Sequence, residues 1–66
     1  MEVRYPDVTV TLSGIDGNAY AIIAAVMRGI KRKHGVEAAA AYEREAQLST
    51  SYDALLQHAM RTVNVE

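Results

Sequence analysis

Apolar and polar positions change period once along this chain, across Gly14-Ile15-Asp16-Gly17-Asn18. Before that segment Val8, Val10 and Leu12 alternate with Thr9 and Thr11, the period of a strand with one buried face. After it Ala19, Ile22, Ile23, Val26, Met27 and Ile30 recur at helical spacing, the stripe of an amphipathic helix. A strand from about Asp7 to Ser13, a glycine-flanked turn and a helix from about Asn18 to His34 therefore open the protein. Pro6 cannot donate to a ladder and biases Tyr5 toward extended backbone, which suits the entry to an edge strand. Asp16 or Asn18 can accept from the first free amides of the helix. The helix ends on Lys31-Arg32-Lys33-His34, which complements its negative pole, with Gly35 as a left-handed cap. Gly29 sits in its interior at a cost of about 1 kcal/mol relative to Ala.

A second helix is expected from about Glu37 to Leu48. Its stripe of Ala38, Ala39, Tyr42 and Ala46 is narrow and small enough for another helix to approach closely. Thr50-x-x-Asp53 then resembles a capping box with Asp in place of Glu. The third helix runs to about Arg61, with Tyr52, Leu55, Leu56, Ala59, Met60 and Val63 on one face. Thr62-Val63-Asn64-Val65 alternates again and reads as a closing strand. The fold class that follows is α+β: strand, three helices and a short C-terminal strand, a small sheet packed on helices in one compact domain spanning 1–66. Val8, Val10 and Leu12 would face the stripes of the first and third helices. The terminal strands would pair with each other within the chain or across a dimer. Ile22-Ile23-x-x-Val26-Met27-Arg28 and Leu55-Leu56-x-x-Ala59-Met60-Arg61 match half a chain length apart. Their surroundings do not repeat, so shared helix periodicity accounts for the match better than duplication.

Composition changes this picture in one respect. The chain has 66 residues with no Phe, Trp or Cys, and its four Tyr supply all the aromatic area. A chain of this size buries only roughly 60% of its unfolded surface, and a core led by Ala removes little of it from water. Disulfides and thiolate metal sites are excluded, and His34 and His58 are too isolated in sequence to suggest zinc, so neither a metal nor another cofactor is expected. Self-association, as a homodimer, is the remaining remedy for a thin core. A net charge of −1 gives no global attraction to nucleic acid or anionic lipid. No apolar run approaches the roughly 20 residues that span a bilayer, and the N-terminal residues lack signal-peptide order. A cytoplasmic setting without a membrane partner is the expectation.

Three features carry candidate chemistry. The glycine turn could present amides to an anion, but it lacks the Lys-Ser/Thr of a P-loop and the third glycine of a dinucleotide fingerprint. Arg28, Lys31, Arg32 and Lys33 form a basic end of the first helix that could contact a nucleic-acid backbone. Glu37, Glu43 and Glu45 on the second helix could equally pair with it. Ala21, Ala24 and Ala25, continuous with Arg28, leave a smooth side of the first helix that reads as a packing surface for another chain. Catalysis has little support: His58 has no carboxylate at helical spacing, His34 sits on a basic turn, and the serines and threonines have turn and capping roles. Asp16, Asn18 and His58 are the residues whose convergence would point to an enzyme.

The runs Tyr5-Pro6-Asp7-Val8, Gly14-x-Asp16-Gly17-Asn18-Ala19 and Tyr52-Asp53-x-Leu55-Leu56-x-x-x-Met60-Arg61-x-Val63-x-Val65 span nearly the whole chain. In these the chain resembles a group of short bacterial proteins, often encoded on phages or plasmids, for which no activity is known. Members of that group tend to carry Trp after the final Arg, where Thr62 stands here. The resemblance implies a setting on mobile DNA and no functional residues. Together the readings predict a non-enzymatic protein-interaction module, a homodimer that acts by binding another protein. The alternative is a nucleic-acid-binding regulator using the basic end of the first helix.

Overall fold

The computed structural model describes residues 3–12 and 18–66. Its elements are β1 (Tyr5–Val10), α1 (Ala19–His34), α2 (Val36–Gln47), α3 (Tyr52–Thr62) and β2 (Val63–Val65). This is the α+β order that the hydrophobic pattern predicts. Gly14, Ile15, Asp16 and Gly17 of the expected turn lie outside the described residues. Asn18 does cap α1 as expected, its side chain accepting from the Tyr20 N–H at 2.8 Å.

An odd number of helices separates the two strands, so the chain returns to the end where β1 began and β2 runs parallel to it. Pairing sets Tyr5 against Val63, Thr9 against Asn64 and Val10 against Val65, with the register slipping between Tyr5 and Thr9. The slip falls on Pro6, which has no N–H to offer a ladder. In compensation Asn64 Nδ2 donates to the Pro6 carbonyl at 2.6 Å. β1 starts earlier than Asp7 because the residue preceding it is already tied down, the Arg4 N–H donating to the Arg61 carbonyl. The terminal strands thus pair within the chain.

Gly35 is the whole connection between α1 and α2, and it closes α1 through its N–H to the Lys31 carbonyl. Its φ of 94° is positive as expected, but its ψ of 175° is extended, not left-handed helical. That region is essentially reserved for glycine. The third helix is capped one residue later than the Thr50 reading: Ser51 Oγ accepts from the Ala54 N–H at 3.0 Å. Only the oxygen two to three residues before a free amide can reach it, and Ser51 holds that position.

All five elements feed one buried cluster: Val8 and Val10 from β1, five residues of α1, Ala39, Tyr42 and Ala46 from α2, Leu55 and Ala59 from α3, and Val63 from β2. The buried face of α3 is rotated from the expected stripe. Met60 is 55% and Tyr52 44% exposed, while Thr62 is only 1% exposed. The turn into β2 forces this, since Val63 must enter the sheet immediately after the helix. Thr62 tolerates burial because its hydroxyl donates to the His58 carbonyl at 2.7 Å. Gly29 faces the sheet: a Cβ there would lie 3.0 Å from both Val8 Cγ1 and Val10 Cγ2. Its missing side chain lets α1 lie directly on β1, and that approach shapes the candidate site.

Candidate functional site

Main-chain direction alternates along a strand, and in β1 this decides which groups remain open. The Val10 carbonyl accepts from the Glu66 N–H and the Leu12 N–H donates to the Glu66 carbonyl. Val10 and Leu12 therefore turn their main chain toward β2, while Thr9 and Thr11 turn theirs to the opposite edge. No third strand lies there among the described residues, because the sheet has two strands. Instead a groove of about 260 Å³ runs between β1 and α1, lined by Thr9, Val10, Thr11, Arg28, Gly29 and Arg32. It continues toward Asp7 and Lys33 along the same strand. Gly29 forms its floor, and Arg28 and Arg32 flank it one helical turn apart.

The cations beside this groove are unspent. Arg28, Lys31, Arg32 and Lys33 are all exposed, and none makes an ion pair among the described residues. Within the chain, no ion pair joins them to Glu37, Glu43 or Glu45 among the described residues. The cluster spans two depressions: Arg32 borders the β1 groove, Lys31 borders an apolar depression with Ala24, Met27 and Ala39, and Arg28 lies between them and borders both. Ala25 is not surface. It is 8% exposed, belongs to the core and lines the depth of the β1 groove, so the smooth side of α1 is reduced to exposed Ala24 and half-buried Ala21.

Histidine chemistry is organised by contacts that local spacing does not reveal. His58 Nε2 lies 3.0 Å from Glu45 Oε1, and Arg4 donates to the same oxygen at 2.9 Å. Burial pushes the Glu45 carboxyl up, but the hydrogen bonds from Arg4 and His58 outweigh it and hold it below the ordinary glutamate range. The His58 ring stacks on Tyr42 with centroids 5.1 Å apart, and its Nδ1 is buried without a partner. With one nitrogen occupied and the other enclosed, His58 has none to offer a substrate. It joins α2 to α3. The Tyr42 hydroxyl is likewise buried without a partner, and burial pushes its pKa up to about 12.

The second pair, His34 Nε2 with Asp7 Oδ1 at 2.9 Å, fastens the end of α1 to β1, and the His34 ring packs on Tyr5 with centroids 4.4 Å apart. The hydrogen bond from His34 lowers the Asp7 pKa. Of the three residues whose convergence would point to an enzyme, Asn18 is occupied as a cap, His58 is bonded to Glu45, and Asp16 lies outside the described residues. Among the described residues no group of three or more His, Cys, Asp or Glu could hold a metal ion. No helix is long and apolar enough to cross a membrane.

A larger open depression of about 570 Å³ lies at the other end of α1, between Tyr20, Ser49 and Tyr52. Among the described residues no charged side chain lines it. The site that combines unsatisfied main chain with unspent charge is the β1 groove. Sequence reasoning singled out Arg28 and Arg32 but missed Thr9, Thr11 and Gly29 as their partners in it. The interior glycine was the one available signal, since it carries a helix-propensity cost that only a close approach offsets. Compared with known proteins, the chain matches no family model, no curated protein and no solved structure.

Proposed function

We propose that this protein is a small interaction module that binds a partner chain by strand addition at the outer edge of β1. The observation that carries this reading is the main chain of Thr9 and Thr11, which pairs with no other strand among the described residues and faces a groove that α1 leaves unfilled. A two-stranded sheet is marginal in isolation, and a third strand supplies both main-chain hydrogen bonds and buried area. The partner is a different chain. Antiparallel pairing of β1 with a second copy of itself would bring Arg28 and Arg32 of both copies to one seam, a like-charge arrangement that opposes association. Light scattering at micromolar concentration tests this point, a homodimer dissociated by Thr9→Pro being the result against it.

Titration of isotope-labelled protein with short neutral strand-forming peptides rich in Thr and Val tests the reading itself. Amide shifts centred on Thr9 and Thr11 are expected. Shifts confined to other surfaces, or none, contradict it.

Nucleic-acid binding is the second reading, favoured by the four exposed cations at the end of α1, which make no ion pair among the described residues. Backbone contacts of that kind weaken with salt at about −0.9 in log affinity per phosphate neutralised. A mobility shift on duplex DNA at low salt that disappears with Arg28→Ala, Lys31→Ala and Arg32→Ala together would favour it over strand addition.

A further inference from the structure

The geometry points to an extended acidic peptide as the occupant of the β1–α1 groove, adding a third strand at Thr9 and Thr11 and placing alternate carboxylates on Arg28 and Arg32. This inference rests on the strand-addition reading and names the chemistry of the partner.

Spacing, charge and side-chain direction each support it. Arg28 and Arg32 are separated by four residues of helix, a rise of about 6 Å. Alternate residues of a strand, all on one face, repeat every roughly 6.7 Å. A strand laid beside β1 turns every second side chain toward α1, because Val8 and Val10 mark that face in β1 itself. Its successive helix-facing residues therefore reach successive arginines. Guanidinium groups bind carboxylates through paired, charge-assisted hydrogen bonds, so the preferred residues at those positions are Glu and Asp. Asp7, the carboxylate at the end of this groove, is already engaged by His34 and does not neutralise the arginines. The other face of the added strand would continue the surface on which Thr9 and Asn64 lie exposed, and so needs only small polar residues. Recognition is thus by charge on one face and tolerance on the other.

The experiment uses the full chain, isotope-labelled, with three synthetic peptides of equal length in which Thr alternates with Glu, Gln or Lys, and with a short single-stranded DNA. The Glu peptide is expected to shift the Thr9 and Thr11 amides and slow their exchange with solvent. It should bind at least about tenfold more tightly than the Gln peptide at low salt, the order of one charge-assisted hydrogen bond. Arg28→Glu with Arg32→Glu should transfer the preference to the Lys peptide, whereas Lys31→Glu, on the far side of α1, should leave it unchanged. These arginines are exposed, and an unaltered amide spectrum away from the groove verifies that the variant is folded.

Equal binding of Glu and Gln peptides at Thr9 and Thr11 would overturn the acidic partner while leaving strand addition intact. No protection of these amides by any peptide would overturn both. Binding of DNA through Arg28 and Arg32, with no effect of the Glu peptide, would assign the cations to phosphate instead.

Discussion

The interior around Tyr42 and the outer edge of β1 treat polar groups in opposite ways. On the first side, charge is used up within the fold: Glu45 receives both Arg4 and His58, and the His58 ring covers Tyr42. At the second, four exposed cations make no ion pair among the described residues, beside main chain that turns away from β2. The same chain therefore satisfies its groups where they hold α2, α3 and the N-terminal strand together, and leaves them open along one groove. Groups left open at no structural benefit are where a partner is expected, and stability and binding should accordingly separate by mutation.

The sharpest break of that comparison lies on the closed side. Tyr42→Ala should cost on the order of 3–5 kcal/mol, as for other buried aromatic truncations, and leave so small a domain largely unfolded by circular dichroism. Tyr42→Phe removes only a buried hydroxyl without a partner and should leave the melting temperature unchanged or raise it. A large loss in the Phe variant would mean that this hydroxyl does have a partner.

Next in size are the two glycines of α1, which separate backbone strain from crowding. Nothing lies within 4 Å of a Cβ at Gly35, so Gly35→Ala meets only the positive φ, at about 1–3 kcal/mol. Gly29→Ala meets stiff Val8 and Val10 side chains at 3.0 Å but gains helix propensity. A net loss of about 1 kcal/mol is expected, since overpacking costs roughly 1–3 kcal/mol. Chemical denaturation orders the two, and a Gly29→Ala variant more stable than wild type would show that β1 yields readily to α1.

Acid should weaken the closed side. Glu45 and Asp7 have folded pKa values below their ordinary 4.5 and 3.8. Their contribution is therefore complete above those values and is lost as the pH falls through them toward the lowered folded values. In melts from neutral pH downward, Glu45→Gln should flatten this acid limb. An unchanged limb would place the acid sensitivity elsewhere.

The smallest effect on stability is expected on the open side. Arg28→Glu and Arg32→Glu should each change stability by no more than about 0.5 kcal/mol, the usual range for exposed substitutions. A larger loss would mean that these cations serve the fold.

The elements were legible in the sequence because each announces itself locally. Alternation marks β1, the stripe from Ile22 to Ile30 marks α1, and Gly35 after a basic turn marks the break. What was not legible depends on residues far apart along the chain. Arg4, Glu45 and His58 meet only because α2 and α3 pack beside the N-terminal strand, and no spacing within one helix encodes that. The burial of Thr62 in place of Met60 follows from β2 beginning at the very next residue, a tertiary demand that overrides the helical stripe. The site was half legible. Arg28 and Arg32 stood out as charge, but their place beside Thr9 and Thr11 required the parallel pairing of β1 with β2.

Amide hydrogen exchange on the free protein tests the open edge most directly, residue by residue along β1. The Leu12 and Glu66 amides, bonded across the sheet, should be protected, while Thr9 and Thr11 exchange close to the rate of an unstructured chain at every protein concentration. Protection of Thr9 and Thr11 equal to that of Leu12 would show that this edge is already closed and contradict the account.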